Sequence, residues 1–159
     1  MLTTVDGSNM AESEVTELLK KAYSDEIETV MNYLTNSIVL DGVSAEEVKE
    51  SLEADIQEEL GHAEMLGHRL KQLDERPPAS YDFEARQESL QPPENSTDVL
   101  SVIEGVLDAE EDAIETYRAL IKAAGDEDPV TEDIAVTILS DEEAHRTEFR
   151  GFKREYVED

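Results

Sequence analysis

The chain carries one spaced pattern of glutamate, tyrosine and histidine twice. Each copy is a Glu-x6-Tyr segment followed by a Glu-x-x-His pair, and the copies are Glu26/Tyr33 with Glu59/His62 and Glu110/Tyr117 with Glu142/His145. The leading glutamates of the segment and the pair are 33 residues apart in the first copy and 32 in the second. This repetition predicts that the two halves of the chain fold into similar structural units.

Turn signals lie midway between the paired glutamates, which predicts that each half is a helical hairpin. Asp41-Gly42-Val43-Ser44 is centred in the first copy, and Gly125-Asp126-Glu127-Asp128 is centred in the second. Because a helix rises about 1.5 Å per residue, both glutamates of a copy lie roughly 24 Å from their turn. They therefore face each other at one level, and two packed hairpins would bring both copies into one layer.

Four long amphipathic helices account for most of the chain. Their predicted ranges are residues 13–40, 44–74, 97–124 and 129–157, within a single domain of residues 1–159. The capping box Ser44-Ala-Glu-Glu47 predicts the start of the second helix, and Gly125 predicts the end of the third. Asp128-Pro129, an N-cap followed by proline, opens the fourth. In the first helix, apolar residues that include Leu34 and Ile38 recur at helical spacing.

The connection between the second and third helices, residues 76–95, is long and contains Pro77, Pro78, Pro92 and Pro93. Fully extended, it could reach about 60 Å, which is enough to run the length of a bundle. The other two connections are short, so the helices they join form antiparallel hairpins. We therefore predict an all-α fold, a four-helix bundle of two antiparallel hairpins joined by a long crossover loop.

The composition excludes several kinds of site and partner. With no cysteine, the chain can form neither disulfides nor thiolate metal sites. The 41 acidic against 13 basic residues give a net charge of −28, which should repel nucleic acid and anionic membranes. Such a surface is typical of adaptation to high salt. No apolar stretch is long enough for a membrane span and Met1–Asn9 shows no leader pattern, so we expect a cytoplasmic protein.

The repeated glutamates and histidines form an oxygen-rich ligand set for two metal ions. Glutamates in the middle of apolar helix faces would be costly to bury without cations between them. Hard carboxylates with two imidazoles suit Fe(II) or Mn(II). We therefore predict six metal-binding and catalytic residues, Glu26, Glu59, His62, Glu110, Glu142 and His145.

The remaining polar residues near the pattern have other predicted roles. Tyr33 and Tyr117 either pack in the core or donate a hydrogen bond to a ligating carboxylate across the bundle. His68 follows His62 by six residues, roughly on the opposite helix face, which predicts a surface or supporting position. Four further glutamates are expected to face solvent, namely Glu58, Glu64, Glu111 and Glu143.

These segments resemble those of the ferritin-like di-iron carboxylate superfamily, in particular the bacterioferritin and archaeal Dps-like ferritin group. The resemblance rests on Glu26-Ile-Glu-Thr-Val-Met-Asn-Tyr33, Glu58-Glu59-Leu-Gly-His62, Glu110-Glu-Asp-Ala-Ile-Glu-Thr-Tyr117 and Glu142-Glu-Ala-His145. It implies two iron ions per chain within one subunit. Bridging carboxylates would be Glu59 and Glu142, terminal carboxylates Glu26 and Glu110, and imidazole ligands His62 and His145.

Departures from the family pattern narrow the expectation. Bacterioferritins bind haem through a methionine just after the glutamate of the second helix, where this chain has Leu60, so no haem is expected. The cysteine pair typical of the archaeal Dps-like group and the cysteine-ligated iron of rubrerythrins are absent. The predicted fourth helix runs almost to the last residue of the sequence, so no fifth helix of the kind found in large ferritin cages is expected. The resemblance therefore implies a homo-oligomer, and the departures favour a small cage or a lower oligomer over the large cage.

The leading functional hypothesis is a di-iron ferroxidase that oxidises Fe(II) with O2 or H2O2 for iron storage and protection against oxidative stress. A rubrerythrin-like peroxidase or a manganese catalase would use the same residues without storing mineral. A non-enzymatic helical interaction or cargo module, with a structural or vestigial metal site, is an alternative of a different class. A di-iron hydroxylase of organic substrates ranks below these.

Overall fold

The computed structural model describes residues 7–157, with side chains from Met10 onward. Within that range the regular elements are helical: α1 Gly7–Val39, a 3-10 turn at Val43–Ala45, α2 Glu46–Gln72, α3 Val99–Ala124 and α4 Pro129–Arg154. Helix α1 packs along α2 and α3 packs along α4, while the two hairpins meet mainly through α1 and α3. The predicted all-α four-helix bundle with its long crossover is confirmed.

The helix ends follow the sequence signals at some positions and differ at others. Asp128 caps α4 by accepting a hydrogen bond from the backbone N–H of Thr131, and Gly125 ends α3 with a positive φ of 53°, as predicted. The capping box at Ser44 was wrong: the 3-10 turn takes up residues 43–45, so Ala45 precedes α2 and no side chain caps it. Helix α3 begins at residue 99, not 97, because Asp98 supplies its cap.

The bounds of the outer helices also differ from prediction. Helix α1 begins at Gly7 instead of residue 13, and α4 ends at Arg154 instead of residue 157. The leader-free stretch inferred for residues 1–9 lies largely outside the described residues. Among residues 7–157, none of the helices combines the length and the hydropathy of a membrane span.

Specific contacts hold the crossover against α1 and α3. The carboxylate of Glu28 accepts hydrogen bonds from the backbone N–H groups of Arg86 and Gln87. Leu90 is buried in the core. Gly105 makes the close approach possible, since a Cβ there would lie 2.4 Å from the carbonyl oxygen of Ser89. The long connection therefore follows a defined path against α1 and α3, and this path depends on a glycine in α3.

Two apolar clusters fill the bundle above and below a central polar layer. One cluster includes Leu52, Ile103 and Phe149, and the other includes Leu19 and Leu66. Tyrosine rings extend the clusters toward the layer, Tyr33 in the first and Tyr117 in the second. The charged groups of the layer are thus enclosed by hydrocarbon on both sides, which lowers the local dielectric and strengthens electrostatic interactions there.

The apolar residues of α1 divide between two faces. Val15, Leu19 and Ala22 are buried, whereas Leu34 is 49% exposed and Ile38 is 71% exposed. The face between α1 and the crossover is instead polar and includes Asn36, which donates a hydrogen bond to the carbonyl of Leu90. Helical spacing alone did not distinguish the packed stripe from the exposed one.

Candidate metal centre

The six predicted ligand residues lie together in the central layer of the bundle. Helices α1 and α3 each contribute one glutamate, and α2 and α4 each contribute a Glu-x-x-His pair. None of the six is more than 5% exposed, and they are Glu26, Glu59, His62, Glu110, Glu142 and His145. Burial of four carboxylates in one layer is unfavourable unless other groups compensate their charge.

The ligand atoms form two overlapping groups, in each of which all atoms lie within 4.8 Å of one another. One group consists of Glu26, Glu59, His62 and Glu142, and the other of Glu59, Glu110, Glu142 and His145. Glu59 and Glu142 belong to both groups. Two cations could therefore be held side by side, with these two carboxylates between them.

Inward-facing atoms of all six residues lack a hydrogen-bond partner among residues 7–157, although each atom is buried. His62 Nδ1 lies 3.0 Å from Glu142 Oε1, and His145 Nδ1 lies 3.2 Å from Glu59 Oε1. Buried polar atoms are normally satisfied. Orphaned oxygens and nitrogens that converge on one layer are the donor set a hard divalent cation requires, so the residues fit two such ions.

The two hairpins exchange hydrogen bonds through their tyrosines. Tyr33 Oη in the first hairpin donates to Glu110 Oε1 at 2.7 Å, and Tyr117 Oη in the second donates to Glu26 Oε1 at 2.5 Å. Both rings also pack in the apolar clusters, so the two roles considered from the sequence occur together. Each bond satisfies one oxygen of a glutamate and leaves the other oxygen facing the layer.

Three further carboxylates lie behind the histidines. His62 Nε2 is 2.9 Å from Asp141 Oδ2, and His145 Nε2 is 2.8 Å from Glu58 Oε2 and 3.5 Å from Asp55 Oδ1. Such partners fix the ring orientation and direct the other nitrogen, Nδ1, to a metal. Sequence reasoning placed Glu58 in solvent, and it is exposed, yet its carboxylate reaches His145.

Comparison with known proteins places the chain in a family. The Ferritin family model, which describes a ferritin-like domain, matches residues 16–155. The chain belongs to the ferritin-like domain family. No functionally curated protein matches its sequence.

Solved structures similar to this ferritin-like chain support the same fold. The bacterioferritin-related protein of Bacteroides fragilis, described as a dodecameric thioferritin, is 25% identical with a TM-score of 0.83, covering 91% of this chain and 87% of that one. Desulfovibrio desulfuricans bacterioferritin, solved with its diiron site in different catalytic states, is 24% identical with a TM-score of 0.77, at coverages of 90% and 80%. Dps from Thermosynechococcus elongatus is 17% identical with a TM-score of 0.82, and 97% of each chain is covered.

Burial and mutual repulsion perturb the carboxylates of this ferritin-like site. Desolvation, followed by the charge of Glu59, raises the pKa of Glu26 well above its ordinary value. Desolvation, followed by the charges of Glu26 and Glu59, does the same to the pKa of Glu142. Burial also acts to raise the pKa of Glu59, but its close contacts with Glu26, His145 and His62 outweigh burial and the pKa is lowered. In the absence of bound cations, the protons that Glu26 and Glu142 retain therefore reduce the negative charge of the layer.

The pKa values of the two histidines and of Asp55 are also shifted by burial and by neighbouring charges. Burial acts to lower the pKa of His62, but its contacts with Glu142, Glu26 and Glu59 outweigh burial and raise the pKa well above the ordinary value. The pKa of His145 is raised in the same way, first by Glu110 and then by Glu59. Burial raises the pKa of Asp55 to about 7. Metal binding would replace these protons, so it should be coupled to proton release.

The remaining residues considered from the sequence lie outside the layer. His68 and Glu64 are exposed on α2. Glu111 is paired with Arg146 and Arg150, and Glu143 is paired with Arg118. The supporting residues missed by sequence reasoning are Asp55 and Asp141. Asp55 precedes Glu59 by one helical turn and so shares its face, but this signal is weak in a chain with 41 acidic residues.

Proposed function

We propose that this ferritin-like chain is a ferroxidase that oxidises Fe(II) with O2 or H2O2. The observation that carries the proposal is the pair of overlapping carboxylate–imidazole groups that share Glu59 and Glu142 in the buried layer. Membership of the ferritin-like family and the likeness to bacterioferritin structures support it. Iron storage and protection against oxidative stress are the roles that such an activity would serve.

The residues divide between two ions in a definite way. Glu26 and His62 would hold one Fe(II), and Glu110 and His145 would hold the other. The shared glutamates would bridge them, and Mn(II) suits the same donors. Two adjacent Fe(II) ions would supply two electrons together to the oxidant. The protein buries the six residues, would orient each imidazole from behind, and supplies carboxylates whose protons would leave when cations bind.

A matched pair of histidine variants tests the activity. The chelator-treated protein is mixed with Fe(II) and O2 or H2O2 in a stopped-flow instrument, and Fe(III) formation is followed by its absorbance. His62→Ala should slow the oxidation more than 10-fold, because even supporting residues of metal sites cost about 10–100-fold when removed. His68→Ala, on the exposed face of the same helix, should match the parent. Equal rates for the parent and His62→Ala would refute a ferroxidase at this site.

The same preparation distinguishes a ferroxidase from a manganese catalase. If the Mn(II)-loaded protein evolves O2 from H2O2 while the Fe(II)-treated protein forms Fe(III) no faster than buffer, the chain is a catalase. If neither metal binds, the remaining hypothesis is the non-enzymatic interaction or cargo module. A cytoplasmic location, adaptation to high salt and the absence of haem stay predictions.

We further propose that the chain forms a homo-oligomer through the outer face of α1. Met31, Leu34 and Ile38 form an exposed apolar stripe there, and contiguous apolar surface of this kind marks interfaces. The dodecameric state described for the Bacteroides fragilis protein supports assembly. Leu34→Glu should lower the mass seen by mass photometry. Val130→Glu is the matched control, since both side chains are 49% exposed. An unchanged mass for Leu34→Glu would exclude this face.

A further inference from the structure

A cavity of about 410 Å3 connects the surface between α1 and α3 with the candidate metal centre. Its inner end is lined by the four glutamates of the central layer, Glu26, Glu59, Glu110 and Glu142. Small side chains such as Ala22, Ala109 and Ala113 line its walls. The acidic Asp25, Asp112 and Glu115 belong to the same lining. A cation in this cavity would remain close to carboxylates from the surface to the centre.

Two basic residues, Lys21 and Arg86, belong to the lining of this cavity, and Lys21 spans the gap between the two helices. Lys21 Nζ, on α1, lies 2.6 Å from Asp25 Oδ2 and donates a hydrogen bond of 2.9 Å to Thr116 Oγ1 on α3. Thr116 is itself buried and donates to the carbonyl of Asp112. The ammonium group therefore ties the two helices together and places a positive charge beside a cavity that leads to a cation site.

We propose that metal ions reach the centre through this cavity and that the ammonium group of Lys21 restricts their entry. The inference rests on the proposed function, because it assumes that the centre binds metal. A divalent cation would displace the ammonium group from Asp25 and interact with that carboxylate before it moves inward. Lys21 would then act as a positioning residue that sets the rate of metal loading without touching the bound ions.

The physical reason is electrostatic. A cleft lined by charges of one sign raises the local concentration of the opposite ion and speeds its association, by about 10-fold or more in favourable cases. A lysine in an acidic cleft opposes this effect. Removing its charge should therefore speed cation uptake at low ionic strength, and salt should reduce the difference because it screens exposed charges.

The neighbouring lysine provides a closely matched control. Lys20 also lies on α1, its side chain is 33% exposed against 35% for Lys21, and it too pairs with a carboxylate, that of Glu75 at 3.3 Å. Lys20 does not line the cavity. Lys20→Met and Lys21→Met therefore make the same change in net charge on the same helix, and only Lys21→Met removes a positive charge from the cavity lining.

Uptake of Co(II) by the chelator-treated full chain tests the proposal by stopped-flow tyrosine fluorescence. The chain has five tyrosines and no tryptophan, and Tyr33 and Tyr117 donate to site carboxylates, so bound Co(II) should quench their emission. We expect Lys21→Met to load about 3–10-fold faster than the parent at low salt, and Lys20→Met to stay within about twofold of the parent. Equal rates for Lys21→Met and Lys20→Met would overturn the proposal.

A blocking variant and a binding measurement complete the test. Ala113→Leu should narrow the cavity and slow loading while leaving the Co(II) stoichiometry unchanged, and it decides the matter if Lys21→Met does not fold. Unslowed loading by Ala113→Leu would also overturn the route. Equilibrium dialysis separates the two proposals: a parent that takes up no Co(II) contradicts the proposed function and the route together, whereas normal uptake with unaltered rates contradicts only the route.

Discussion

The two hairpins contribute the same candidate ligands to the layer but differ in what lies behind their histidines. His62, in the first hairpin, is backed by Asp141, whose side chain is 40% exposed. His145, in the second, is backed by Glu58 and also by Asp55, whose side chain is only 9% exposed. The two proposed half-sites therefore have equivalent sets of candidate ligands in different surroundings. The half-site around His145 has one more buried carboxylate, and we expect it to bind a divalent cation more tightly.

The supporting residues also cross between the hairpins. Asp141 belongs to α4 and orients a histidine of α2, whereas Asp55 and Glu58 belong to α2 and orient a histidine of α4. The tyrosine hydrogen bonds cross in the same way. Neither hairpin could therefore form an oriented half-site alone, even though each carries a complete copy of the sequence pattern.

The largest effect should come from the residues that the two half-sites share. Glu59→Ala removes a donor from both ligand groups and should abolish tight binding of both ions, whereas Glu26→Ala removes a donor from one group only. We expect a loss of more than about 100-fold at both sites for Glu59→Ala and at one site for Glu26→Ala. Isothermal titration with Co(II) measures both. If Glu59→Ala still bound Co(II) normally at the His145 half-site, Glu59 would not be a ligand that the two half-sites share.

The second prediction concerns the expected difference in cation affinity between the two half-sites. Asp55→Asn should weaken binding at the His145 half-site by about 10–100-fold, as expected for a residue that orients a ligand. Asp141→Asn should weaken the His62 half-site by a smaller factor, because its carboxylate is more exposed and more strongly screened. Titration of both variants with Co(II) compares them. If Asp141→Asn has the larger effect, the half-sites are ranked in the wrong order.

The third prediction uses pH to separate the half-sites in the chelator-treated protein. A carboxyl whose pKa is raised on folding, such as Glu26, Glu142 or Asp55, stabilises the fold below its unfolded pKa and loses that contribution as pH rises through its folded pKa. Glu59, with its lowered pKa, opposes the trend. For Asp55 the window runs from its ordinary value of 3.8 to about 7.

We therefore expect the melting temperature to fall between pH 4 and 7 and Asp55→Asn to remove part of that fall. The shift should amount to several degrees, since each kcal/mol corresponds to about 2–4 °C for a chain of this length. Calorimetry at a series of pH values measures it, with Asp141→Asn as the control. A parent and an Asp55→Asn variant with parallel curves would show that Asp55 does not hold its proton in the folded state.

The smallest effects should come from the crossing tyrosines. Tyr33→Phe and Tyr117→Phe each remove one donor from a buried carboxylate oxygen, which costs about 1–3 kcal/mol of unfolding free energy. Because the two bonds are reciprocal, the two variants should be destabilised to a similar extent in urea denaturation. If the two variants lost clearly different amounts of unfolding free energy, the tyrosines would also differ between the half-sites. If neither variant were destabilised, water would replace the lost hydroxyl groups.

Much of this architecture could be predicted because it depends on spacing along single helices. The turn at Gly42 and the cap at Asp128 set the level at which the glutamates meet, and the three-residue offset sets the face shared by Glu59 and His62. Other features could not be predicted. The 3-10 turn that displaced the cap at Ser44, and the exposure of Leu34, depend on how the hairpins and the crossover pack.

The sequence by itself determined that two helical hairpins present matching carboxylate and imidazole groups at one level, because positions along a helix follow from residue number alone. Only the tertiary structure decided which of the 41 acidic residues stand behind the histidines, which tyrosine meets which glutamate, and which lysine lies beside the cavity. Those relations depend on the rotation and separation of neighbouring helices. Side chains such as Asp55 and Asp141, ordinary in a strongly acidic chain, acquire their roles through that packing.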